Sequence, residues 1–334
     1  MALATDTYDR PLRDLRISVT DRCNFRCTYC MPKEVFGPGY EFLPRDQLLT
    51  FEEITSIVGH FVARGVNKVR ITGGEPLLRR GIEDLIAMIS SVDGVDDLTL
   101  TTNASLLARK AGALVAAGLD RVTVSLDAMD DPTFQAMNDV GFPVATVLEA
   151  IDVAAAEGLG PVKVNAVIKK GVNEHAVVDM ARHFRGTGHI VRFIEFMDVG
   201  NTNGWRLDDV VPAEHMIESI NAVFPLEAVA ANYPGEVANR FRYLDGAGEV
   251  GVIASVTQPF CGSCTRARVS AEGSFYTCLF AAFGTSLRDV IRAGGDLGGA
   301  IDEVWAKRDD RYSEIRSSNT ARLSVPVEMS YIGG

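Results

Sequence analysis

Nowhere in this chain of 334 residues does an apolar run approach the roughly 18 residues needed to cross a bilayer. The start, MALATDTYDRPLRDLR, also lacks the apolar core of a secretory signal. A cytoplasmic protein with no membrane partner is therefore expected. Positive charge is short as well: 33 Lys plus Arg face 44 Asp plus Glu, a net charge of −11. That balance argues against nucleic acid as a partner, because a phosphate backbone requires a broad basic face. It leaves room for a local basic pocket that holds one small anion. Compositional bias is absent too, with 47% hydrophobic and 23% charged residues, so disorder and fibrous repeats are poor descriptions. The length fits two domains of about 150 residues or one larger barrel.

Closed metal sites are also missing. The six cysteines fall into two groups of three: Cys23, Cys27 and Cys30, then Cys261, Cys264 and Cys278. Disulfides are disfavoured in a chain that nothing exports and that is long enough to build a core. Structural zinc prefers four protein ligands. No other Cys and no His accompanies the first group before His60, and all five histidines lie at or before His215. Each group can therefore ligate three corners of a compact cluster and leave one metal position open. Soft thiolates select iron–sulfur or zinc, and the missing fourth ligand favours iron–sulfur.

Between the two groups, short β-branched runs alternate with helical stretches. The runs are LRISVT (15–20), KVRITGG (68–74), DLTLTTN (97–103), RVTVSLD (121–127), PVKVNAVI (161–168) and IVRFIEFM (190–197). Such βα repetition predicts parallel strands. One parity of each strand is apolar, as in Leu15, Ile17 and Val19. The other is polar: Arg16, Ser18 and Thr20; Lys68, Arg70 and Thr72; Thr99, Thr101 and Asn103; Arg121, Thr123, Ser125 and Asp127; Lys163 and Asn165. An open sheet covered on both faces reads as nearly continuous hydrophobic runs, and a complete barrel fills its interior with Val, Ile and Leu. The pattern instead predicts an α/β fold: an incomplete βα barrel of the TIM type, with about six strands and a wet, basic lumen. Arg192 and Met197 have opposite parity, so both reach the lumen only if the sixth strand ends or bulges between them. Past residue 210 the texture changes to two hairpins and short helices. Residues 1–210 are expected to form the barrel, and 211–334 a smaller α+β cap that carries the second cysteine group and closes the barrel.

The segment CNFRCTYC (23–30), a CxxxCxxC pattern with an aromatic before the last Cys, resembles the motif of the radical S-adenosylmethionine (SAM) enzymes. TGGEP (72–76) resembles their glycine-rich SAM-binding segment. FCGSCTRARVSAEGSFYTCLF, RFIEFMDVG, the MPK after Cys30 and the terminal Gly333 and Gly334 narrow the resemblance to the GTP 3′,8-cyclase family of molybdenum-cofactor biosynthesis. That resemblance implies two 4Fe–4S clusters, one on Cys23, Cys27 and Cys30 and one on Cys261, Cys264 and Cys278. SAM is the further cofactor, its amino and carboxylate groups on the open iron of the first cluster. Reductive cleavage would give a 5′-deoxyadenosyl radical that takes the ribose 3′-hydrogen of GTP, leading to (8S)-3′,8-cyclo-7,8-dihydro-GTP. Matching positions place SAM near Tyr29, Gly74, Thr102, Asn103, Ser125 and Met197. They place GTP near Arg16, Arg70, Thr101, Lys163, Arg192, Arg266 and Arg268. A triphosphate carries about four charges, which several guanidiniums in a low-dielectric cavity suit.

The implied partners are GTP, an electron donor and, by product hand-off, the cyclic pyranopterin monophosphate synthase; a homodimer is compatible with the chain. Two departures stand out. Ala104 takes a position usually held by Gly, which restricts its backbone, and MNDVGFP (137–143) lacks the Gly-Arg pair common after the fourth strand. A free terminal Gly normally frays, so Gly333 and Gly334 are expected to thread into the active site and help organise it, alongside Arg266 and Arg268. The competing readings are a radical SAM peptide maturase with an auxiliary cluster, and a non-catalytic metal protein that senses redox state or binds RNA.

Overall fold

A computed structural model describes residues 4–316 and 326–333. Strand β1 (Asp14–Ser18) is followed by five βα units. They contribute β2 (Lys68–Thr72), β3 (Asp97–Thr102), β4 (Arg121–Ser125), β5 (Lys163–Ile168) and β6 (Ile190–Glu195). All six pair in parallel and in chain order. The six runs read from the sequence are thus present; five end one or two residues early, and β5 ends with its run at Ile168 but starts two residues later. β6 stops at Glu195, and this end lets both Arg192 and Met197 line the same cavity.

The intervening helices form because their apolar residues recur with helical spacing. Helix α1 (Phe51–Val62) buries Ile54, Ile57, Val58 and Phe61, and starts at a reciprocal cap between Thr50 and Glu53. Helix α2 (Ile82–Ser90) buries Ile82, Leu85, Ile86 and Ile89 in the same rhythm. These faces meet the outward parity of the strands. Leu15, Ile17, Val69, Ile71, Leu98, Leu100, Val122 and Val124 are essentially inaccessible to solvent. The chain turns at Gly65 and Gly118 with φ of 105° and 94°, a conformation that glycine adopts at no steric cost.

The C-terminal segment extends the same sheet at both edges. Strands β7 (Leu226–Val229), β8 (Asn239–Tyr243) and β9 (Glu249–Ile253) form an antiparallel meander, and β9 runs parallel to β6. Strand β10 (Arg266–Val269) runs parallel to β1 on the other edge, followed by antiparallel β11 (Ser274–Tyr276) and β12 (Thr285–Ser286). The resulting order is β12-β11-β10-β1-β2-β3-β4-β5-β6-β9-β8-β7. The barrel therefore gains a parallel strand on each edge beyond the six of the βα repeats, and the sheet is not closed. Strand β7, whose LEAV carries little alternation, has no counterpart in the sequence reading.

Parallel pairing of β10 with β1 decides where the second cysteine group lies. Cys264 immediately precedes β10, and Cys278 follows the antiparallel β11. Both sit at the N-terminal end of the strands. Cys23, Cys27 and Cys30 follow β1 and sit at the opposite, C-terminal end. The cap expected on the open side of the barrel thus brings its cysteines to the end of the lumen remote from the first group.

Candidate active site

One cavity of ≈ 320 Å³ is lined by all six cysteines and by the inward parity of β1 to β6. Tyr29, Gly74, Thr102, Asn103, Ser125 and Met197 line its C-terminal end near the first thiols. Arg16, Arg70, Thr101, Lys163, Arg192, Arg266 and Arg268 line the stretch between the two cysteine groups. Gly333 is buried against Thr72, which also lines the cavity; Gly334 lies outside the described residues.

The cysteine loop is held from two sides. Thr28 and Arg26 donate backbone N–H bonds to Met137 and Asn138 at 3.0 Å each. Asn138, fully buried, ties its own loop together by accepting from Val140 and Phe142. The MNDVGFP stretch therefore braces the cysteine loop, with Phe142 packed on Phe25 at 5.1 Å between ring centres. On the other side, Gly74 and Glu75 donate to the backbone of Thr20 and Arg22 at 2.8 Å each. A Cβ on Gly74 would lie 2.3 Å from the Arg22 carbonyl oxygen, and one on Gly73 2.5 Å from that of Thr20. The glycine pair, inside the segment that resembles a SAM-binding motif, thus permits close approach of the cysteine loop itself.

Glu75 organises the next layer. Its Oε1 accepts from the Thr102 hydroxyl at 2.8 Å and the Leu77 amide at 3.0 Å, and its Oε2 from the Asn103 amide at 2.8 Å. Burial pushes its carboxyl up to about 7 despite these bonds. Asp127, raised to about 6 by burial, accepts from the Tyr29 phenol at 2.9 Å and the Val167 amide at 2.9 Å. Two carboxyls thereby fix the side chains around the first thiols. Ala104 adopts φ of 66° while 1% exposed, so the alanine occupies the left-handed region that glycine would take without strain.

The two thiol groups differ electrostatically. Burial pushes Cys23 up to about 12, helped by the Glu75 charge, and raises Cys27 and Cys30 as well. Cys278 is likewise raised to about 12 by burial and then by Asp310. Cys264 is buried too, yet Arg266 and Arg308 overcome that cost and bring it down to about 7. The Arg266 guanidinium donates to the Cys264 sulfur at 3.0 Å. Among the described residues no three His, Cys, Asp or Glu side chains are arranged to hold a single metal ion.

Among the described residues Arg16, Arg70, Lys163, Arg192, Arg266 and Arg268 have no carboxylate partner, whereas Lys68 faces Asp97 at 3.5 Å and Asp14 at 3.9 Å. Arg70 is oriented by the hydroxyls of Thr101 and Thr123 at 3.1 and 3.0 Å, and Arg192 by the Asn165 amide oxygen at 2.9 Å. Burial and then Arg70 and Arg266 lower Arg16 to about 9; burial and then Arg192 lower Arg70 to about 10 and Lys163 to about 7. Arg268 is 3% exposed, and its Nε has no hydrogen-bond partner among the described residues. Such a stripe of buried, mutually repelling cations is complementary to a polyanion. Lys68, Thr123, Asp127 and Asn165 belong to it or support it, and all four carried the polar parity without being singled out as site residues. Glu75 lies inside the TGGEP motif. Tyr233, which accepts from Lys68 at 2.9 Å, comes from a loop with no sequence signal.

A lumen with three thiols at the C-terminal mouth of a partial barrel defines a radical SAM protein. The Radical SAM superfamily family matches residues 17–184, and Molybdenum Cofactor Synthesis C matches 189–314. The chain is 53% identical to the GTP 3′,8-cyclase of Acidothermus cellulolyticus, with 98% of each chain covered. It is 51% identical to the one of Xanthomonas axonopodis pv. citri (98% of each), and 48% identical to the one of Staphylococcus saprophyticus (99% of this chain, 98% of the other). The chain belongs to the GTP 3′,8-cyclase family of radical SAM enzymes. Among solved structures it resembles Streptococcus suis SuiB bound to S-adenosylmethionine, with a TM-score of 0.64, 15% identity, and coverage of 92% of this chain and 68% of that one. That likeness concerns the fold.

Membership brings SAM and a 4Fe–4S cluster, with a second cluster in the C-terminal segment. The donor sets fit. Each end of one cavity presents three thiols, and backbone amides of Phe25 and Phe280 already point at Cys23 and Cys278 sulfurs at 3.4 and 3.5 Å.

Proposed function

We propose that this chain catalyses the 3′,8-cyclisation of GTP to (8S)-3′,8-cyclo-7,8-dihydro-GTP, the opening step of molybdenum-cofactor biosynthesis. The observation that carries this reading is the shared cavity: thiols for two clusters stand at its ends, with a carboxylate-poor cationic stripe between them. Its supports are the family matches over nearly the whole chain and the unpartnered Arg268 Nε.

When bound, the first cluster and SAM supply a carbon-centred 5′-deoxyadenosyl radical able to take a hydrogen atom from an unactivated C–H bond. The chain's own residues bind, orient and shield. Cys23, Cys27 and Cys30 hold the first cluster; Cys261, Cys264 and Cys278 hold the second. Tyr29, Gly74, Thr102, Asn103, Ser125 and Met197 surround SAM, with Thr102 and Asn103 held by Glu75 and Tyr29 by Asp127. Arg16, Arg70, Lys163, Arg192, Arg266 and Arg268 neutralise the triphosphate, while Thr101, Thr123 and Asn165 hold the guanidiniums in place. A bound triphosphate returns these cations to their ordinary basicity, so binding relieves a repulsion already present in the free lumen. The terminal Gly333 and Gly334 help organise the site for catalysis, a role supported by the seating of Gly333 against Thr72. Residues 1–210 act as the SAM-binding part and 211–334 as the part that closes the lumen over the substrate.

The reading includes a cytoplasmic setting, a low-potential electron donor, delivery of product to the cyclic pyranopterin monophosphate synthase and a homodimer. No helix among the described residues is long and apolar enough to cross a membrane. Anaerobic protein carrying about eight irons, as two 4Fe–4S clusters require, should release 5′-deoxyadenosine when GTP is present and not without it. Zinc in place of iron, or SAM cleavage triggered by a peptide instead of GTP, would overturn the proposal.

A further inference from the structure

The loop after β6 and the C-terminal tail meet through one carboxylate. Glu328 Oε1 accepts from the Asn201 amide at 2.9 Å, and Oε2 accepts from the Thr202 hydroxyl at 3.1 Å. Beside them the Asn201 side chain donates to the Pro326 carbonyl. Gly200 has φ of 64°, and a Cβ there would lie 2.1 Å from Glu328 Oε2. The loop thus closes on the carboxylate at a point where only glycine fits.

Both partners of this contact lead to the active site. Within the loop, Asn203 donates to the Met197 carbonyl at 2.9 Å and the Trp205 indole to that of Phe196 at 2.8 Å. The turn gripped by Glu328 is therefore the turn that sets Met197 at the cavity wall. In the tail, Glu328 immediately precedes a short helix, α3 (Met329–Ile332). Met329 and Ser330 line the cavity, Ile332 is fully buried, and Gly333 abuts Thr72.

We propose that Glu328 is a positioning residue: it latches the tail to the β6 loop, so that seating of the tail and formation of the Met197 turn are one coupled event. This inference rests on the reading of the cavity as a SAM and GTP site. Its logic is reciprocal. A ligand that orders the Met197 turn strengthens tail docking by the same factor that the docked tail strengthens that ligand's binding. A charge-assisted hydrogen bond to a carboxylate is strong enough to carry such coupling. A carboxylate without its partners would also be left in a partly desolvated groove.

Hydrogen exchange on the cluster-loaded protein, read at residues 326–333 and 197–203, tests the latch without turnover. In the wild type, SAM added without reductant should raise protection in both segments. Glu328→Ala should lose at least about tenfold of the tail protection, and its tail should no longer respond to SAM. Glu328→Gln, which keeps one acceptor for the Asn201 amide, should recover most of both. Gly200→Ala should reproduce the alanine phenotype from the loop side. In turnover with SAM, GTP and reductant, Glu328→Ala should lower kcat about tenfold or more while KM for GTP changes little. Unchanged tail protection in Glu328→Ala or Gly200→Ala, a wild-type tail indifferent to SAM, or an unaltered kcat would each overturn the latch. A wild-type protein that never turns over GTP would instead defeat the functional reading, and the exchange data would still decide whether Glu328 couples the two segments.

Discussion

Gly333 abuts Thr72 so closely that a Cβ on the glycine would lie 2.0 Å from the threonine Oγ1. Its φ of 78° adds a second demand for glycine. A methyl group there meets left-handed strain of about 1–2 kcal/mol and overpacking of about 1–3 kcal/mol. Gly333→Ala should therefore unseat the tail and reduce turnover at least about tenfold, the equivalent of roughly 1.4 kcal/mol. Thermal unfolding of the barrel should barely move, because the contact is confined to the tail. Thr72→Ala in the same chain should restore part of the rate. Wild-type turnover in Gly333→Ala would show that the tail has no part in catalysis.

Glu75 accepts three hydrogen bonds, from Leu77, Thr102 and Asn103. Glu75→Gln keeps the shape but turns one acceptor into a donor that faces another donor. Leaving one buried group unsatisfied costs about 1–3 kcal/mol, visible in chemical denaturation. In the wild type, a carboxyl raised to about 7 contributes stability fully present below its unfolded value near 4.5. That contribution is lost as pH rises through 7. Stability of the cluster-free protein should thus decline from pH 5 to 7 by a component that Glu75→Gln removes. An identical pH slope in the variant would show that Glu75 is not the group responsible.

Lys163 is lowered to about 7 by burial and then by Arg192. Near neutral pH a substantial fraction is uncharged before an anion arrives, and a bound triphosphate raises its pKa again. Binding of GTP should take up a proton at pH 7 to 8, and affinity should fall as pH rises through this window. Calorimetry in buffers of different ionisation enthalpy measures the uptake directly. Lys163→Met should abolish most of it and weaken binding. Proton-neutral binding by the wild type would place the triphosphate elsewhere.

Cys264 and Cys278 flank the same end of the lumen but ionise differently, at about 7 and about 12. In cluster-free protein, Cys264 should be alkylated much faster than Cys278 at pH 8, with a rate midpoint near pH 7. Removing the Arg266 guanidinium, as in Arg266→Gln, should shift that midpoint upward. Mass spectrometry of iodoacetamide-treated protein reads both sites; equal rates for the two thiols would contradict the arrangement.

Much of the barrel was legible because alternation is a local property. Leu15 and Arg16, or Val69 and Arg70, point to opposite faces of any strand that contains them, so the polar parity already described the lumen wall. The end of β6 was legible for the same reason, since Arg192 and Met197 cannot share a face of one regular strand. Tyr233 was not, because it reaches Lys68 across 165 positions of sequence. Glu328 was not, because its partners Asn201 and Thr202 lie 127 and 126 residues away. No local pattern encodes such a pairing. Glu75 lay in a motif, but its part in holding Thr102 and Asn103 requires β2 and β3 to be neighbours.

Composition, periodicity and spacing by themselves determined the class of fold, the two sets of three thiols and the cationic identity of the lumen. These follow from side-chain chemistry and strand period, which need no partner to be defined. Tertiary structure alone decided that the thiols stand at opposite ends of one cavity. That outcome depends on β10 pairing in parallel with β1 across some 250 residues of chain, as the Asp14 and Arg266 register records. It also decided that the net −11 of the chain surrounds an interior stripe of cations. Charge can be summed from sequence, but burial, which gives each charge its energetic weight, exists only once the sheet has curved around it.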